Sequence, residues 1–160
     1  KYETWAHYLM LSYPGTYSLV FRSSLERLIA VGKLGQLRVK PGFYVYVGSA
    51  FGPGGLAARV AHHGRSSGYP RWHIDYLGLS NNLEEVWYTY DPIHREHQWT
   101  EIIDSLKGSS IPLVGFGSSD CRCQSHLYFF PSKPSDRSFR RRVHVKYDNH
   151  GKIIIEKLLS

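Results

Sequence analysis

Residues 43–50, Phe-Tyr-Val-Tyr-Val-Gly-Ser-Ala, constrain this chain more than any other stretch. Aromatic and β-branched residues in such a run favour extended backbone. Successive side chains of a strand point to opposite faces. Tyr44 and Tyr46 therefore share one face, and Phe43, Val45 and Val47 the other. Gly48 closes the aromatic run and is expected to turn the chain toward the loop Phe-Gly-Pro-Gly-Gly at 51–55. Two other strands lie close by. Residues 16–21 alternate and place Tyr17, Leu19 and Phe21 on one face. Residues 36–40 alternate polar and apolar, and Pro41-Gly42 is a turn signal. Three strands so near in sequence predict an antiparallel meander.

Helical signals follow. Residues 56–63 read as a short helix with Leu56 and Val60 as its apolar stripe and Gly64 as its stop. Residues 71–79, containing Trp-His-Ile-Asp-Tyr-Leu, read as a second helix. Residues 83–90 look like a strand. Asp91-Pro92 predicts a helix start, with aspartate as cap and proline at the first position. That helix should run to about residue 107, ended by Gly108. Further strands are expected at 112–116 and 126–130. From Pro131 the composition shifts to Pro-Ser-Lys-Pro-Ser-Asp, a linker-like stretch. Residues 136–159 then read as a basic β-hairpin. The fold class is α/β in the α+β sense: a small antiparallel central sheet flanked by helices, with an appended C-terminal basic hairpin. Residues 1–130 form the main domain, with an extension at 1–12 and an insertion at 23–40. Residues 131–160 pack on it. The chain has 160 residues, 42% of them hydrophobic, which suits one domain with a real core.

The formal charge is +7 with nine histidines neutral. Such a surplus favours a polyanionic partner, nucleic acid above all. No apolar run is long enough to span a bilayer, so no membrane partner is expected. The first 15 residues do not read as a signal peptide, which makes a cytoplasmic protein the default expectation. Cys121 and Cys123 are too close in sequence for a structural disulfide, in keeping with a reducing setting.

Several residues can carry chemistry. Glu96 falls in a row with Ile93, Thr100 and Ile103, facing the core or its edge. A carboxylate there needs a partner, either an arginine or tyrosine, or a metal. Arg59 and His63 lie four apart and share a helical face. Guanidinium forks onto phosphate oxygens, and histidine moves protons. Tyr17 and Tyr46 sit on aromatic faces of two strands. The ordinary alternative for both is core packing with the hydroxyl bonded at the edge.

Taken together these positions resemble a family. Gly15-Thr-Tyr17 and Tyr46-Val-Gly48 are similar to the two halves of the GIY-YIG nuclease signature. Arg59, His63 and Glu96 follow in the family's order and on the expected elements. The strings GTYSLVF, YVYVGSAFGPGGLAARV, RWHIDYL and GFGSSDCRCQSHLYFF resemble the Uri-type endonuclease branch. Thr16 and Val47 replace the family's isoleucines, and the insertion at 23–40 lengthens the gap between the motifs. The resemblance spans most of residues 13–130.

What the resemblance implies is a metal-dependent endonuclease that hydrolyses phosphodiester bonds, with DNA favoured as substrate. Glu96 would be the only protein ligand of a Mg²⁺ or Mn²⁺ ion, with waters completing the shell. Arg59 would neutralise charge building on the phosphate. Tyr17 would be the general base, its pKa lowered from near 10 by a neighbouring cation. His63 would act as relay or as the base itself. Tyr46 would orient the nucleophile or grip phosphate. His62 and His73 are further candidates, the latter with an equally ordinary role bonded to backbone. The alternative is a non-catalytic nucleic-acid-binding module on the same fold, as a monomer or homodimer.

Two other stretches are notable. Cys121, Cys123 and His126 invite a zinc reading, but a fourth ligand is missing. The preferred reading is a strand-loop-strand beside the site, with Arg122 in reach of substrate. Arg140, Arg141, Arg142 and Lys146 form the strongest basic patch. On a nuclease they would grip backbone phosphates.

Overall fold

A computed structural model describes residues 10–64, 73–78, 81–117 and 123–158. In chain order its elements are β1 (Gly15–Ser23), β2 (Arg27–Val31), a 3₁₀ turn (Gly32–Leu34), β3 (Gly35–Val39), β4 (Gly42–Ala50), α1 (Gly55–Gly64) and α2 (His73–Gly78). Then come β5 (Asn82–Thr89), α3 (Glu96–Ser105), β6 (Leu127–Phe130), α4 (Asp136–Lys146) and β7 (Ile154–Lys157). The architecture is the expected α+β class, an antiparallel central sheet flanked by helices. The strands of the main sheet lie in the order β6-β4-β1-β5-β7, each pair antiparallel.

The alternation in β1 and β4 divides the core in two. Tyr17, Leu19, Phe21, Tyr44 and Tyr46 pack with Leu56 and Val60 of α1 and Ile74 and Leu77 of α2. Val20, Val45, Val47 and Trp87 pack on the other face with Trp99 and Ile103 of α3 and Phe139 and Val143 of α4. A central strand covered on both faces is buried at successive positions rather than at every second one. Residues 15–21 of β1 are all buried.

Four expectations are corrected. There is no meander through the first three strands. β1 pairs directly with β4, from Gly15 opposite Ala50 to Ser23 opposite Gly42. The insertion closes on itself instead, with Arg27 opposite Val39 and Val31 opposite Gly35. It buries only Val31, Leu37 and Val39, too little apolar surface to compete with β1 for β4.

The stretch at 112–116 is a set of turns, not a strand. Gly115 and Gly117 adopt φ of +89° and +68°, which breaks extension.

Asp91 does not cap α3. Its Oδ1 accepts the Ile93 backbone N–H at 2.9 Å, and its Oδ2 accepts from the buried Arg95 guanidinium at 2.9 Å. The aspartate is thereby committed to a local turn. The helix begins five residues later, at Glu96. Ile93, 48% exposed, is not in the core-facing row.

The C-terminal hairpin is a helix followed by an edge strand. Ser135 Oγ accepts the Ser138 backbone N–H at 3.0 Å and caps α4. Phe139 and Val143, four apart, bury against Trp87 and Trp99. This single apolar stripe has helical period, and it outweighs the polar-apolar alternation read as strand. β7 then extends the main sheet beside β5, with Glu85 opposite Lys157 and Tyr88 opposite Ile154.

Phe139 holds α4 in place. It is fully buried, stacks on Trp87 at 5.0 Å and meets Trp99 edge-on at 5.0 Å. Phe139→Ala is expected to cost about 3–5 kcal/mol. Thermal unfolding should then shift down by roughly 6–20 °C. A shift below about 2 °C would mean that α4 is not part of the cooperative core. Among the described residues, no helix is long and apolar enough to cross a membrane.

Candidate functional site

The β1–β4 register places Tyr17 opposite Gly48. A Cβ added at Gly48 would stand 2.5 Å from the Tyr17 hydroxyl. The strand does not turn at Gly48 but continues to Ala50. The glycine is needed for room, since any side chain there would occupy the hydroxyl's place.

That hydroxyl meets α1. Tyr17 Oη lies 2.8 Å from His63 Nε2, and both groups are buried. Arg59, one turn earlier on α1, donates to the Ser49 carbonyl at 3.0 Å, which holds its guanidinium beside the end of β4. Tyr46 completes the group, with its ring 6.4 Å from that of Tyr17 and 6.2 Å from that of His63. Four of the predicted residues thus converge on one face of the sheet.

A fifth group joins them from α2. Asp75 Oδ1 lies 3.4 Å from His63 Nδ1, and its Oδ2 lies 3.1 Å from His62 Nε2. Asp75 was not among the predicted site residues, although it stands inside the string RWHIDYL. Its place depends on how α2 docks against α1, and no local spacing encodes that. His62 joins the cluster through Asp75 and meets the His63 ring edge-on at 5.7 Å. His73 belongs to the turn: its Nδ1 accepts the Gly117 backbone N–H at 2.8 Å.

Burial sets the protonation states. Desolvation raises the Tyr17 hydroxyl well above its usual pKa of 10. Tyr46 adds to the rise and Arg59 opposes it. Desolvation pulls His63 below its usual value, against an upward pull from Asp75. Tyr17 is therefore protonated and His63 neutral near pH 7. With the Asp75 carboxylate facing Nδ1, the neutral imidazole carries its proton there, which leaves Nε2 to accept from the Tyr17 hydroxyl. Of the cations expected to lower Tyr17, Arg59 acts in that direction, but burial outweighs it.

Glu96 opens α3, where the positive end of the helix favours a carboxylate. Its Oε2 lies 3.4 Å from His126 Nδ1. Its side chain is 26% exposed, and no lysine or arginine pairs with it among the described residues. Its charge raises the pKa of both Tyr17 and Tyr46. Glu96 is thus a part-exposed negative charge acting on two hydroxyls, and its near basic neighbour among the described residues is His126, a histidine rather than a lysine or arginine. That environment fits a hard divalent cation, which needs one carboxylate and keeps its waters.

The basic residues of the tail stand apart. α4 packs on the face opposite Tyr17 and His63. Arg140 pairs with Asp136 at 3.0 Å, Arg142 donates to the Ser105 carbonyl at 3.0 Å, and Lys146 pairs with Glu101 at 2.8 Å. Arg141 is exposed. Arg122 and Cys121 lie outside the described residues.

Comparison with known proteins places the chain by sequence alone. No curated protein and no solved structure matches it. A family model described as a domain of unknown function, DUF123, matches residues 16–148. That span holds Tyr17, Tyr46, Arg59, His63, Asp75 and Glu96, and the chain belongs to the DUF123 family.

Proposed function

We propose that this protein is a metal-dependent endonuclease of the GIY-YIG type, related to its Uri-type branch, that hydrolyses phosphodiester bonds of nucleic acid. The observation that carries the reading is the 2.8 Å contact between the protonated Tyr17 hydroxyl and the neutral His63 imidazole, beside Arg59 and the open carboxylate of Glu96. A core-packing tyrosine needs only one hydrogen-bond partner. It does not need a neutral base, a carboxylate behind that base, and a guanidinium next to it.

The residues divide the work. Water attacks the phosphorus with Tyr17 Oη accepting its proton. The hydroxyl proton of Tyr17 passes to His63 Nε2, so the tyrosine never has to ionise in advance. This arrangement suits a phenol whose pKa burial has raised. Asp75 faces the imidazolium that forms and stabilises it. Arg59 offsets the charge gathering on the phosphate oxygens. Tyr46 orients the water or the phosphate from the neighbouring strand. Glu96 would hold a Mg²⁺ or Mn²⁺ ion, which would supply Lewis-acid stabilisation of charge on the leaving oxygen. The surplus of 20 lysines and arginines over 13 acidic residues supports a nucleic-acid partner.

The test is direct. Labelled single- and double-stranded DNA and RNA are incubated with the protein in Mg²⁺, Mn²⁺ or EDTA. At least one substrate, with DNA the first candidate, should be cut in Mg²⁺ or Mn²⁺ and left whole in EDTA. Cleavage that persists in EDTA would overturn the metal mechanism. Tight binding of every substrate with no cleavage of any would identify a binding module instead.

A further inference from the structure

A second group of metal-ligating side chains lies next to Glu96 and has no part in the mechanism above. His97, Cys123 and His126 each place one ligating atom within 4.8 Å of the other two. We infer that these three residues bind zinc, at a site separate from the hard-cation site of Glu96. The sequence offered Cys121, Cys123 and His126 as the zinc set. The fold adds His97 to Cys123 and His126, from the first turn of α3, 26 residues before Cys123 in the chain, while Cys121 lies outside the described residues.

The chemistry favours zinc over magnesium. One thiolate and two imidazoles form a soft-to-borderline donor set, poor for Mg²⁺ and suited to Zn²⁺. With zinc bonds of about 2.0–2.3 Å, a tetrahedral centre holds its ligand atoms roughly 3.4–3.8 Å apart. The three atoms need only a small side-chain contraction to reach that spacing. His97 is exposed and can move, whereas His126 is fixed.

A second observation points the same way. His126 is buried, and its Nδ1 lies 3.2 Å from the Val47 carbonyl and 3.4 Å from Glu96 Oε2. Metal-binding imidazoles commonly donate their other ring N–H to a carbonyl or carboxylate, which fixes the tautomer. With the proton on Nδ1, the Nε2 lone pair is the one offered to a metal. A histidine serving only the core would need no such carboxylate.

The consequence is positional. Zinc would tie the first turn of α3 to the segment leading into β6. Glu96 is the chain neighbour of one ligand and the ion-pair neighbour of another. The site would thereby hold the Glu96 carboxylate toward Tyr17 and Tyr46. The described residues supply three of the four ligands that a tetrahedral zinc takes.

The experiment uses full-length protein purified without a histidine tag, and its readout does not depend on cleavage. Elemental analysis after gel filtration should find about one zinc per chain. Cobalt exchange should give the visible bands of a tetrahedral ion and a thiolate-to-cobalt charge-transfer band. Cys123→Ser should abolish the charge-transfer band, and His97→Gln should weaken zinc binding at least about tenfold. Glu96→Ala should keep the thiolate-to-cobalt band, with zinc affinity lowered about 10–100-fold by loss of the carboxylate beside His126. Far-UV dichroism separates loss of metal from loss of fold. Absence of zinc together with absence of a cobalt spectrum overturns the inference. So does zinc that survives undiminished in both ligand variants, or a thiolate-to-cobalt band that vanishes with Glu96→Ala in a folded protein.

Discussion

Glu96→Ala is expected to remove metal-dependent cleavage, lowering kcat by roughly 10³-fold or more, while the protein stays folded. The size follows from what one carboxylate does in a site with a single protein ligand. Metal stabilisation of a leaving oxygen is worth several kcal/mol, and each 1.4 kcal/mol is about tenfold in rate. No second carboxylate of the described cluster replaces Glu96, because Asp75 is engaged by His62 and His63. The cost to stability should stay within about 1 kcal/mol, since the side chain is part-exposed and its ion pair with His126 is long at 3.4 Å. Glu96→Gln separates charge from shape. It can still hydrogen-bond His126, so it should match the alanine variant in lost activity and the parent in stability. Either variant retaining a tenth of the parent rate would show that Glu96 is not the metal ligand. Thermal unfolding measured alongside guards against a collapsed site.

The core of the fold was legible because β1 and β4 are long, alternating and self-consistent. Their period of two assigned every side chain to the correct face, including Tyr17 and Tyr46 to one and Val45 and Val47 to the other. Which strands pair was less legible. The stretch at 36–40 looked like the natural neighbour of 43–50 by nearness in sequence, yet β1 offers β4 nine paired residues. The tail failed for a related reason. Arg140, Arg141 and Arg142 masked the spacing of Phe139 and Val143, and two apolar residues four apart decide a helix only once there is a core for them to enter. Asp91 carried an ordinary cap signal that Arg95 diverted. At the candidate site, chain order and the family resemblance picked out Tyr17, Tyr46, Arg59 and His63, which the fold brings together. Asp75 and His97 were missed because each reaches its partners through the docking of a helix. The protonation of Tyr17 was missed because burial, not charge, decides it.

Tyr17→Phe is expected to lower kcat by roughly 10²–10³-fold, within the range that positioned proton transfer supplies. His63→Gln should do the same. If the two act as one relay, the double variant should be little worse than either single one, as expected for groups that work as a unit. Independent roles would instead multiply the losses. The pH profile supplies the sign. The relay needs neutral His63, whose pKa burial holds below the usual 6.5. Activity should therefore be full near pH 7 and fall only as the pH drops through that lowered value. Asp75→Asn removes the group that pulls His63 upward. The acid limb of the variant should move to still lower pH, on top of a loss in rate. Stability follows the same direction. A histidine buried neutral stabilises the fold above its unfolded pKa, and that contribution is lost as the pH falls through the folded one. His150, buried against Trp99 and also held low, adds to the same acid window, so acid unfolding alone does not report on His63. The kinetic limb does, because His63, not His150, contacts Tyr17. A Tyr17→Phe enzyme with full activity, or an acid limb that Asp75→Asn leaves in place, would remove the relay and return Tyr17 to the core.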